Sequence, residues 1–203
     1  MSIVSLLTEF ATIAVTIFIV ELTDKDALLL LALATKIKAW TAFAAGATAF
    51  TVTSAIIVTV GYFLIRAVPI FWVRLAGGVV MIGFAVWEFL ESASEEASEE
   101  KRLLERTRKG RSNWSVFVGA VSMLIILDLA GDATEVLTIV YVARFSSVLL
   151  VFLGAVTALV SASALETILG TKLSKLLSPR RIAILSLIVF LAIGSVIIVT
   201  SFV

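Results

Sequence analysis

The 203-residue sequence contains no cysteine and no histidine, only two prolines, and charged residues at 15% of positions. Each shortage excludes something. Without cysteine there is no disulfide and no thiolate ligand, and the redox compartment leaves no trace in the chain. With histidine missing too, both side chains that zinc and copper favour are gone, while carboxylate, carbonyl and water suit Ca²⁺, Mg²⁺ and Mn²⁺. The formal net charge is +1 and no basic stripe is interleaved with aromatics, so nucleic acid is not an expected partner. The two prolines, Pro69 and Pro179, fall between apolar stretches and not within them.

What is present is apolar. Hydrophobic residues make up 61% of the chain and mean hydropathy is +1.14, and several runs reach the roughly 20 residues a helix needs to cross a hydrocarbon core. The expected fold class is an all-α polytopic membrane protein of six transmembrane helices, from about 3–34, 40–68, 71–90, 114–143, 147–169 and 182–202. The first segment lacks a basic leader and a small-residue cleavage site, so it reads as a span and not as a cleaved signal. Between the third and fourth lies a long polar stretch, 91–113, acidic at first (Glu95, Glu96, Glu99, Glu100) and basic at its end (Lys101 to Arg111). That is the pattern of a solvated linker.

Charge is scarce, so its placement matters. Glu21-Leu22-Thr23-Asp24-Lys25-Asp26 sets four charged residues inside the first apolar segment, and Asp128, Asp132 and Glu135 interrupt the fourth. An ionised group at the bilayer centre costs roughly 2.5 to 3.5 kcal/mol on insertion scales, so such residues normally face a protein interior or a water-filled path. A purely structural reading is that Lys25 neutralises Glu21 and lets the segment insert, but the second cluster has no base of its own. Glu166, in the fifth segment, reads equally as a site member or as a residue near the membrane surface, and Glu9 and Glu88 read as solvated helix-end residues. The hydroxyls Thr53, Ser54, Ser161 and Ser163 read as bonds between helices, and Gly77, Gly78 and Gly83 as points of close helix approach. Lys36 and Arg144 read as anchors at helix ends.

The halves resemble each other. A shift of 108 positions lays Asp24 on Asp132, Lys36 on Arg144, Gly46 on Gly154 and Thr53 on Ser161. The expected organisation is therefore a first three-helix repeat at 1–90, the linker at 91–113, and a second repeat at 114–203. With the N-terminus outside, twelve basic residues fall in inward loops against three (Arg66, Arg74, Arg144) in outward ones, which places both termini outside and the linker in the cytoplasm. Three spans per half invert the second copy. Inverted repeats are how many secondary transporters are built, with the site where broken helices meet near the midplane.

On a helix, Glu21 and Asp24 share a face, as do Asp128 with Asp132 and Asp132 with Glu135. Two such faces brought together make a nest of carboxylates, and a hard cation such as Ca²⁺ takes six to eight oxygens from carboxylates, carbonyls and waters. Crowded carboxylates repel one another, so the same oxygens that hold a cation hold protons when it leaves. Antiport then needs no further relay.

These motifs resemble those of the Golgi-type calcium/manganese:proton exchangers and their prokaryotic and plastid relatives, which carry Glu-x-Gly-Asp-Lys/Arg-Ser/Thr in the first helix of each three-helix half. Here the first copy reads Glu21-Leu22-Thr23-Asp24-Lys25-Asp26 and the second Leu129-Ala130-Gly131-Asp132-Ala133-Thr134. The resemblance implies cation/proton antiport, with Glu21, Asp24 and Asp132 as the matched acids. The departures are as specific: Thr23 replaces Gly, Asp26 replaces the hydroxyl residue, Leu129 replaces the second Glu, and Ala133 the second base. Asp128 sits one residue early, a rotation of about 100° on a helix, so it serves only if the helix is unwound or rotated there.

The expected site is therefore Glu21, Asp24, Asp128 and Asp132, with Asp26 and Glu135 next in line and Thr134 a neutral ligand. The expected activity is exchange of Ca²⁺ or Mn²⁺ for protons in a prokaryote-like cell membrane, with no enzymatic step and no resident cofactor. Partners would be the cation, the bilayer and, as an option, further copies of the chain. Export of another solute such as an amino acid or heavy metal, or loading of metal into exported enzymes, are the alternatives.

Overall fold

The computed structural model describes residues 2–24, 30–31, 33–34, 37–91, 113–129, 133–145, 147–176 and 179–202. Among them are seven long helices and no strand: α1 (Ile3–Thr23), α2 (Ala39–Ala67), α3 (Ile70–Glu91), α4 (Asn113–Leu129), α5 (Ala133–Arg144), α6 (Val148–Leu176) and α7 (Pro179–Ser201). Helices are the expected answer to an apolar chain, because in hydrocarbon every backbone polar group must be satisfied within the segment. Five of the seven are long and apolar enough to cross a membrane, and α4 with α5, bent by 63°, are together long and apolar enough to count as a sixth. The linker at 91–113 lies almost wholly outside the described residues.

The ends are set locally. Ser2 Oγ accepts the Ser5 N–H at 3.1 Å to open α1, and Ser147 Oγ accepts the Leu150 N–H at 3.2 Å to open α6. Val68 is extended, φ −125° and ψ 135°, as a residue before proline prefers, and Pro179 opens α7, where its missing N–H costs nothing.

The halves repeat in three dimensions as in sequence. The starts of α1 and α4 (3 and 113), α2 and α6 (39 and 148), and α3 and α7 (70 and 179) are separated by 110, 109 and 109 residues. In each half the first span is interrupted: α1 ends at Thr23 with Asp24 extended, and in the other half α4 (to Leu129) and α5 (from Ala133) are bent by 63°. An odd number of spans per half makes the second copy run the opposite way. The fold is two inverted three-helix repeats.

Packing joins the copies to each other. The most extensive helix pairs are α3 with α7, α1 with α6, α2 with α6 and α2 with α4, and each crosses from one half to the other. The buried core, with Ile13, Ile17, Leu30, Phe50, Met81, Leu137 and Phe190 among its members, belongs to neither half separately. Val15, Ile126, Leu149, Ile188 and Val199 lie outward, as expected of a lipid-facing surface.

Small residues let backbones meet at the α3–α7 seam. A Cβ on Gly78 would lie 3.0 Å from the Gly194 carbonyl oxygen, and one on Gly194 2.9 Å from that of Gly78. Gly83, expected to serve the same purpose, has no described residue within 4 Å of where its Cβ would be. The hydroxyls also differ from expectation: Thr53, Ser161 and Ser163 donate to Ala49, Thr157 and Leu159 of their own helices. A side chain four residues past a carbonyl finds that acceptor without crossing to a neighbour. Hydroxyl bonds do cross the halves elsewhere, among them Thr16 to Tyr141, at 2.5 Å. Glu9, expected in solvent, is half-buried.

A candidate cation site at two helix breaks

The first break is built by the end of α1. Glu21 and Asp24, three residues apart on one helical face, are 1% and 5% exposed. Asp24 is the C-cap, extended at φ −77° and ψ 156°, and its N–H donates to the Glu21 carbonyl at 3.1 Å. Thr23 Oγ1 donates to the Val20 carbonyl at 2.9 Å, and Ser186 Oγ of α7 donates to the Thr23 carbonyl. A helix C-terminus carries about half a negative charge on carbonyls that no further turn satisfies. Buried carboxylates and the carbonyl oxygens of a helix end are therefore neighbours inside the protein.

The second break is the same device altered. Asp128, in the last turn of α4, is 4% exposed, whereas Leu129, at the motif's Glu position, is 40% exposed. One residue of helix turns a side chain by about 100°, and here that turn carries Leu129 outward and leaves Asp128 facing in. Across the break Thr134 is buried and Glu135 half-buried in the first turn of α5, and Thr138 Oγ1 donates to the Thr134 carbonyl at 2.7 Å. Asp26, Asp132 and Lys25 lie outside the described residues. Among the described residues no three acids come close enough to hold one metal ion together.

One buried acid falls outside the expected set. Glu166 of α6 is 1% exposed. The apolar span of α6 ends at Leu169, as hydropathy gives it, and the helix itself continues to Leu176. Glu166 thus sits well inside the helix, on the face carrying Ser163 and Thr167, both buried. The signal was its spacing of three from Ser163, an apolar helix's polar stripe.

Two inverted halves, each led by a span broken beside buried carboxylates, have the construction of a secondary transporter. The family model described as divalent cation/proton antiporter GDT1 matches residues 9–96 and again 116–203, one match on each half, and the chain belongs to that family. No curated protein and no solved structure matches the chain.

Proposed function

We propose that this chain exchanges Ca²⁺ or Mn²⁺ for protons across a cell membrane, with Glu21, Asp24, Asp128 and Asp132 holding the cation and the protons in turn. The observation that carries the reading is the burial of Glu21, Asp24 and Asp128 at the ends of interrupted helices, where carboxylate and carbonyl oxygens are at hand. Hard divalent cations select such oxygens, and the absence of histidine and cysteine gives softer metals little to hold.

A cation arriving at the breaks neutralises carboxylates that otherwise repel one another, and protons leave as it binds. Its departure restores the repulsion, which protons relieve. Asp26 and Glu135 supply further oxygens, Thr134 a neutral one, and Lys25 lowers the net negative charge. In this reading both termini lie outside, repeats 1–90 and 114–203 flank a cytoplasmic linker at 91–113, and no covalent chemistry takes place. The test is flux in proteoliposomes carrying a proton gradient. Wild type takes up Ca²⁺ or Mn²⁺ in step with proton movement, and Asp24→Asn or Asp132→Asn abolishes both; coupled flux that survives either substitution overturns the reading.

A further inference from the structure

We propose that Glu166 is a ligand of the transported cation, a carboxylate contributed by α6 where the second copy of the motif has lost one at Leu129. The inference rests on the exchange reading above and adds a residue that lies in neither motif.

Position carries it first. As the first and fifth of six spans, α1 and α6 run in the same direction. They meet where a Cβ on Gly154 would lie 2.7 Å from Ile13 Cγ2. From that contact Glu166 is twelve residues along α6 and Asp24 eleven along α1, which at 1.5 Å per residue sets the two at one depth to within roughly a turn. The face agrees. Ser163, three residues before Glu166, has its Oγ 3.1 Å from where a Cβ of Gly46 would be, and Leu30, just past the first break, has Cδ2 2.9 Å from the same point. This stripe of α6 therefore turns toward α2 and the resumed chain of the first span, not toward lipid.

Chemistry carries it further. Ser163 and Thr167 donate their hydroxyl protons to the Leu159 and Ser163 carbonyls, at 2.8 and 2.7 Å, which turns oxygen lone pairs away from the helix axis on either side of Glu166. The position 108 residues earlier is Val58, also buried, so the pseudo-symmetric fold needs no acid there to pack. Burying a carboxylate in a membrane is costly, and this one appears only in the half whose motif Glu position is occupied by the outward-facing Leu129. A Ca²⁺ shell takes six to eight oxygens, so a further buried carboxylate on a neighbouring helix has a place in it beside the motif acids.

The test is Mn²⁺ binding to the purified full-length protein by titration calorimetry, beside flux in proteoliposomes. Glu166→Gln is expected to weaken Mn²⁺ binding roughly tenfold or more and to remove most of the Mn²⁺-induced rise in melting temperature without lowering the melting temperature of the metal-free protein, with Glu166→Asp intermediate. Binding within about twofold of wild type, or a fall in metal-free melting temperature with unchanged affinity, assigns Glu166 a structural role and overturns the inference. Where Glu166→Gln fails to fold, carbodiimide labelling of the wild type decides: Mn²⁺ protects Glu166 from modification if it is a ligand, and labelling indifferent to Mn²⁺ overturns it. A wild type that neither binds nor moves Mn²⁺ or Ca²⁺ overturns the exchange reading itself, an outcome distinct from a wild type that transports normally and a Gln variant that matches it.

Discussion

The two broken spans start from one plan and end differently. The first keeps its acids in register, Glu21 and Asp24 both buried at the end of α1. The second has moved its leading acid back by one residue, and the helix has turned so that Asp128 is inside and Leu129 outside. Inverted repeats fix where the backbone breaks, because that follows from how the helices pack. Which oxygens stand at each break is a separate choice, open to drift as long as another side chain of the interior can take over.

That comparison can be broken at several points. The largest effect is expected at the intact copy: Glu21→Gln should weaken Mn²⁺ binding by roughly a hundredfold, or about 2.8 kcal/mol, whereas Asp128→Asn should cost roughly tenfold, and calorimetry on both variants shows whether the copies contribute unequally. Equal losses would mean the displaced acid is as good as the one in register. Next comes Leu129→Glu, which restores the motif in sequence and not in space. A charge facing lipid costs about 2.5 to 3.5 kcal/mol at the bilayer centre, so folded yield should fall with no gain in affinity; tighter binding would show that α4 can rotate.

Smaller effects separate the matched glycines. Gly46→Ala drives a methyl into Leu30 and Ser163, beside the first break, while Gly154→Ala meets Ile13 a little over two turns away from Glu21. Both should lower the melting temperature, at about 1 to 3 kcal/mol of overpacking each, but transport rate per folded molecule should drop more for Gly46→Ala. Smallest of all, Tyr141→Phe removes the bond to Thr16 that ties the two broken spans together, costing about 1 kcal/mol of stability by thermal melting and leaving cation affinity unchanged.

Much of the architecture was legible in the sequence because a bilayer leaves so few options. Apolar length gave the spans, the 108-residue shift gave the two copies, and the clustered acids marked both interruptions. What was not legible is which way each helix faces. Hydropathy counts residues without assigning them to lipid or protein, so Gly83 reads as a contact although no described residue meets it, and Glu166, three residues before the end of its apolar run, reads as half a surface residue although it is buried in the protein. The hydroxyls were misread for a related reason: from sequence a threonine in a membrane helix has a neighbour to bond, but its own helix offers a carbonyl four residues back, nearer than any other span. Leu129 and Asp128 show the limit most directly, since a one-residue displacement decides between lipid and interior and only the end of α4 tells which.

The seams between halves also govern how the protein is made. A ribosome finishes α1, α2 and α3 before any residue of α4 to α7 exists, yet the extensive partners of those first helices all come from the later ones. The early spans must therefore wait in the membrane with buried carboxylates and close-packing glycines not yet covered, a long-range assembly step that is slow by nature. It follows that the first 90 residues expressed without the rest should be short-lived in the cell, and that supplying residues 114–203 as a separate chain should rescue them.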